Sequence, residues 1–71
     1  MQSLDLHGTK HDQAEEKIRR FLNFALLPCE IVTGNSLKMK TIAKKVIMEY
    51  NWICYEKDCY NYGTLIVNER T

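Results

Sequence analysis

The segment LDLHGTKHD, residues 4–12, decides how the chain is read. From Ser3 to His7 polar and apolar residues alternate, with Leu4 and Leu6 on one side and Ser3, Asp5 and His7 on the other. A period of two is that of a half-buried strand. Gly8 ends the pattern, and Thr9 with Asp12 three residues later has the spacing of a capping box. The segment is therefore expected to be a strand turning into a helix. The same nine residues hold two aspartates and two histidines, which could instead be ligands. His7 and His11 would share a face only inside one helix, and Gly8 breaks that register. No Glu follows His7 as an HExxH helix requires. No structural metal is expected. Mg²⁺, held partly by Asp5 and partly by a bound phosphate, stays open because that ion commonly uses few protein ligands.

Outward from this segment the pattern continues. Ala14, Ile18, Phe21, Leu22 and Ala25 form one face at helical spacing. Glu15–Arg19 and Glu16–Arg20 support that helix at i,i+4. Leu27-Pro28 is expected to close it. CEIVTG, residues 29–34, reads as a second strand ending in Gly34. Asn35 or Ser36 would cap the next helix. Met39, Ile42, Ala43, Val46, Ile47 and Tyr50 mark its apolar face, with the lysines opposite. WICYEK (52–57) reads as a third strand, DCYNYG (58–63) as a turn and TLIVNE (64–69) as a fourth strand. The order is βαβαββ. Right-handed parallel crossovers would place both helices on one face of the sheet, giving a two-layer α/β sandwich with water on the other face.

Seventy-one residues make one small domain, 1–71, that hides only about 60% of its unfolded surface. Hydrophobic content of 45% and charge of 27% fit an ordinary soluble globular protein. No apolar run approaches the roughly 20 residues that span a bilayer. MQSLDLHG has neither a basic nor a long apolar stretch, so no signal peptide and no membrane partner are expected, and the cytoplasm is the expected compartment. Cys29, Cys54 and Cys59 are odd in number and lack CxxC spacing, which favours free thiols over a disulfide framework. A Cys54–Cys59 bridge across the hairpin remains the alternative. Net charge is +1, but Lys38, Lys40, Lys44 and Lys45 fall close together, as do Lys17, Arg19 and Arg20. That clustering permits a polyanionic partner.

In parallel strands the carboxyl ends share one edge. HGT after the first strand and TGNS after the second would both lie there, each leading into a helix N-terminus that can hold an anion. Gly8 and Gly34 would let the backbone approach a phosphate, with Lys10, Thr33, Asn35, Ser36 and Lys38 around them. Should the third strand run parallel to the first two, the hairpin tip would bring Tyr60 and Tyr62 to the same edge as stacking surfaces for bases. Asp5 and His7 would project from the open face about 7 Å apart, two strand steps. Each feature also has a plain structural reading: a turn glycine, a solvated lysine face, tyrosines covering the core edge.

LDLHGTKHDQAEEKIRRFL resembles the opening of the Smr (small MutS-related) domain family. EIVTGNS resembles the second signature of that family, and GTLIV its closing strand. The likeness covers nearly the whole chain. It implies a fold like the C-terminal domain of translation initiation factor three, with a four-stranded mixed sheet and an antiparallel last strand. It also implies nucleic-acid binding and endonuclease activity on RNA or DNA. The first signature falls on Leu4, Asp5, Leu6, His7 and Gly8, the second on Thr33 and Gly34. The chain departs from the family at Ser36, where a second glycine is common, and would be a minimal, stand-alone version.

Two functions follow. As an endonuclease, the chain would use His7 as general acid or base, with Asp5 orienting it or holding a metal ion. The N–H groups after Gly8 and Gly34 would stabilise the phosphate, and Lys10 and Lys38 would hold the flanking backbone. The attacking group is either water or the ribose 2′-OH. As a non-catalytic RNA- or DNA-binding module, the chain would use the same edge without the Asp/His chemistry. A protein-interaction role is the third reading. The oligomeric state is left open.

Overall fold

The computed structural model describes residues 1–58 and 61–70, with residues 58, 61 and 62 described by backbone alone. The elements are β1 (Ser3–Asp5), α1 (His11–Phe24), β2 (Cys29–Val32), α2 (Leu37–Glu49), β3 (Trp52–Asp58) and β4 (Asn61–Glu69). They form a four-stranded sheet in the order β1-β2-β4-β3. β1 pairs parallel with β2, and β4 runs antiparallel to both β2 and β3. The expected mixed sheet with two helices is therefore the observed architecture. β3 runs in the direction of β1 and β2, so the β3–β4 hairpin lies at the carboxyl edge of the parallel strands. Among the described residues, no helix is long and apolar enough to cross a membrane.

The core follows the two periodicities of the sequence. Leu6, Ile31, Leu65 and Val67 from the sheet layer join Ala14, Ile18 and Leu22 of α1 and Met39, Ala43, Val46 and Ile47 of α2 in one buried cluster. Both helices thus lie on one face. Each fully buried Leu or Ile side chain contributes about 1.5–3 kcal/mol, so Ile18→Ala, with its cavity, would cost about 2–5 kcal/mol. Arg19 ties the two helices together, donating to Glu15 in its own helix and to Glu49 of α2. The Tyr50 hydroxyl lies 3.2 Å from the Arg19 carbonyl oxygen, and the Tyr50 ring stacks on Trp52 at 5.0 Å.

Several boundaries differ from expectation. The helix α1 starts at His11 with Lys10 as its N-cap residue and no side-chain cap. The Thr9 hydroxyl instead accepts from Lys17 Nζ at 3.4 Å, so the Thr9–Asp12 capping box does not form. The helix ends at Phe24, three residues before Leu27, and Ala25 is its C-cap rather than part of its face. Within DCYNYG, Asp58 closes β3 and Asn61, Tyr62 and Gly63 already belong to β4, with Asp58 paired to Asn61. The face opposite the helices is not wholly wet. Ile66 and Thr64 are only 6% exposed on it. Lys57 of β3 reaches Glu30 of β2 at 3.3 Å across the intervening β4, and Ile66 stands between its strand partners Glu30 and Tyr55. Lys40 leaves the solvated lysine face of α2 and pairs with Glu56 of β3 at 3.0 Å.

Candidate nucleic-acid interface

The carboxyl ends of β1 and β2 each run into a glycine in the left-handed region, Gly8 at φ 77° and Gly34 at φ 67°. A residue with a Cβ is strained there, which is why glycine stands at both turns. Each turn delivers the N-terminus of a helix longer than three turns to the same edge. Helix geometry leaves the first amides of α1 and α2 without intrahelical acceptors. At α1 the amides of His11 and Asp12 are in this position, and no side chain caps that end. At α2 the Ser36 hydroxyl accepts from the Met39 amide at 3.1 Å, which resolves the choice between Asn35 and Ser36. The cap bond uses Ser36 Oγ as acceptor and leaves its proton available to a ligand.

The amides nearest the glycines are already engaged. Thr9 N–H donates to the Leu6 carbonyl at 2.9 Å. Thr33 and Gly34 N–H both donate to the Gly63 carbonyl, at 2.7 and 3.1 Å. The buried Thr33 hydroxyl lies within bonding distance of the carbonyl oxygens of Gly34 and Gly63, at 3.0 and 3.3 Å. Thr33 therefore holds the turn rather than facing outward. The exposed Asn35, whose amide meets no acceptor among the described residues, continues the loop toward Ser36.

Asp5 and His7 are both exposed, flanking the buried Leu6 in the chain. They are not related by two strand steps as expected. The strand ends at Asp5, the Leu6 amide makes the last bond to Val32, at 2.8 Å, and His7 already belongs to the turn. The hydrogen bond that joins the pair runs from the His7 backbone N–H to Asp5 Oδ1, at 2.8 Å. This is an Asx-turn: the carboxylate stabilises the turn, and it is the backbone, not the imidazole, that it holds. One carboxylate oxygen is thereby occupied. Among the described residues, no group of three His, Cys, Asp or Glu side chains converges as a metal cage. A Mg²⁺ ion here would have Asp5 as its protein ligand and would depend on phosphate oxygens for much of its remaining coordination.

The cations sort differently from their order in the chain. Lys10 is exposed at the start of α1 and Lys38 in the first turn of α2. Lys17, two turns into α1, bends back to Thr9 and adds a third positive charge beside the first turn. Its neighbours Arg19 and Arg20 are tied to carboxylates, and Lys40 is turned inward. Leu37 opens α2 at 79% exposure and offers an apolar surface at this edge. Sequence periodicity passes over it, because it falls outside the apolar stripe of α2. Tyr60 lies outside the described residues; Tyr62 is described only as backbone of β4.

Comparison with models of known protein families, with curated proteins and with solved structures finds no match for this chain.

Proposed function

We propose that the chain is a nucleic-acid-binding domain of the Smr type that cleaves phosphodiester bonds in RNA or DNA. The observation that carries this reading is the convergence on one edge of two left-handed glycine turns, two helix N-termini and the exposed Asp5–His7 pair. Lys10, Lys17 and Lys38 add the positive charge that a phosphate backbone requires. In the cleavage step the exposed His7 imidazole moves a proton to or from the reacting oxygen, the role histidine most often takes in acid–base catalysis. Asp5 acts by fixing the backbone on which His7 stands. First-turn amides and the Ser36 hydroxyl bind the phosphate oxygens. Attack by the ribose 2′-OH would restrict the substrate to RNA and need no metal; attack by water would admit DNA as well.

A specific observation favours a second reading, a binding module without catalysis: the Asp5 carboxylate bonds the His7 amide rather than the imidazole. End-labelled single-stranded RNA and DNA, incubated with the wild type and with His7→Ala, separate the two. Cleavage that vanishes in His7→Ala supports the nuclease, and parallel lanes with Mg²⁺ and with chelator decide the metal. A retained gel shift without cleavage of either substrate supports the module. Failure to bind either nucleic acid at low salt would sink both readings.

A further inference from the structure

The sheet order leaves β3 at one lateral border, at the far side from β1. An edge strand presents unpaired N–H and C=O groups, and proteins commonly guard such edges with charge, proline or a bulge. On β3 those devices sit only in the second half, where Glu56, Lys57 and Asp58 fall together with an irregularity in register. The first half, Trp52 to Tyr55, carries no charge and no proline. Two of its residues expose apolar surface, Ile53 at 39% and Tyr55 at 50%.

A groove runs beside this unguarded half. Lys44 and Met48 of α2, Trp52, Ile53 and Cys54 of β3, and Arg70 line a depression of about 300 Å³. It adjoins one of about 500 Å³ that shares Lys44 and Met48 and adds Lys45 and Glu49. Met48 is 66% exposed, a large apolar side chain with room beside it. The charge of the groove is one-sided. Lys44 and Arg70 meet no carboxylate in an ion pair among the described residues, and Glu49 is bonded to Arg19 of α1.

We propose that the free side of β3 and the adjoining groove of α2 dock an extended peptide segment of another protein, one in which acidic and apolar residues alternate. Adding a strand to an exposed edge satisfies main-chain groups, while pockets beside it select alternate side chains. Successive side chains of the added strand point to opposite faces. Those directed toward the helix layer meet Lys44, Met48 and Arg70, which suit carboxylates on short stems. Those directed toward the other face lie beside Ile53 and Tyr55, which suit apolar groups. A second copy pairing through its own β3 would bring its Lys44, Lys45 and Arg70 against the same cations, and like charges oppose that arrangement. The site is separate from the Asp5–His7 edge and does not depend on the nuclease reading.

The test is to pan a phage-displayed library of random dodecapeptides against the folded chain. Enriched sequences are expected to alternate acidic and apolar residues over about five positions, the usual length of a strand. A synthetic peptide of that sequence should lose at least tenfold in affinity, by fluorescence anisotropy, for the double variant Lys44→Glu, Arg70→Glu. That variant must melt at the wild-type temperature. Bound peptide should also slow amide exchange within Trp52–Tyr55. The proposal is overturned by an absence of enrichment, by enriched peptides without acidic residues, or by affinity that ignores the double variant. A dimer in sedimentation that protects the same amides would assign the edge to a second copy and overturn it too.

Discussion

Gly63→Ala tests how the candidate edge is held. Gly63 lies in β4 against the Thr33–Gly34 turn, and a Cβ placed on it would stand 3.2 Å from Gly34 Cα and 3.4 Å from Gly34 C. Carbon atoms attract each other best at about 3.5–4.0 Å, so the first contact is repulsive and its partner is backbone. Gly63 cannot simply recede, because its carbonyl holds the amides of both Thr33 and Gly34. Overpacking of this kind costs about 1–3 kcal/mol. Stretching two hydrogen bonds adds part of the roughly 0.5–1.5 kcal/mol that each contributes. Against this, alanine restricts the unfolded chain and returns about 0.4–1 kcal/mol. The net expectation is a loss of about 1–2 kcal/mol, or about 5–15 °C in Tm for a domain of this size. Thermal and urea unfolding followed by circular dichroism would measure it, with amide NMR shifts of Thr33 and Gly34 as the local readout. The reasoning is refuted if the variant unfolds within about 0.5 kcal/mol of wild type and those two amides do not move. Gly34→Ala is the contrasting control: nothing lies within 4 Å of its Cβ position, but its φ of +67° costs about 1–2 kcal/mol.

Ser36→Ala removes the cap on the Met39 amide and should cost about 1 kcal/mol in urea unfolding; an unchanged midpoint would deny the cap its role. The Arg19 guanidinium holds the Glu49 carboxyl below its ordinary value, so its contribution is whole above the ordinary carboxylate range and is lost as pH falls from there through the lower folded-state value. Glu49→Gln should therefore flatten the acid limb of a Tm-versus-pH curve and leave its alkaline limb in place. Burial pushes the thiols of Cys29 and Cys54 up. Peptide-mapped alkylation by iodoacetamide at pH 8 should label Cys29 only after unfolding and Cys54 more slowly than in the denatured chain.

Local physics made much of this molecule legible in its residues. The two-residue period of Leu4 and Leu6, the helical stripe from Ala14 to Leu22 and the run from Met39 to Ile47 each depend on neighbours a few positions away. They identified the strand, the helices and most of the core. Gly8 and Gly34 were legible for the same reason, since a strand that turns at once into a helix asks for a left-handed residue. Ser36 was one of two residues suited to cap α2, and local geometry chose it.

What the tertiary structure alone decided are relations between distant segments. The sequence pattern ended β1 at His7, but pairing with β2 stops at Val32, so His7 falls in the turn and Asp5 holds its amide. β4 inserts between β2 and β3, which buries Thr64 to Val67 without alternation and leaves β3 as the edge. Gly63 reads as an ordinary turn glycine until β4 is laid against Gly34, where a side chain has no room. The basic residues that cluster in the chain scatter in space: Lys38 to the candidate edge, Lys40 inward to Glu56, Lys44 to the groove beside β3. Adjacent helical positions point about 100° apart, so nearness along the chain assigns a charge to no face. Which partner each face meets depends on strand pairings as distant in the chain as Cys29 with Val67, and a local pattern carries no information about them.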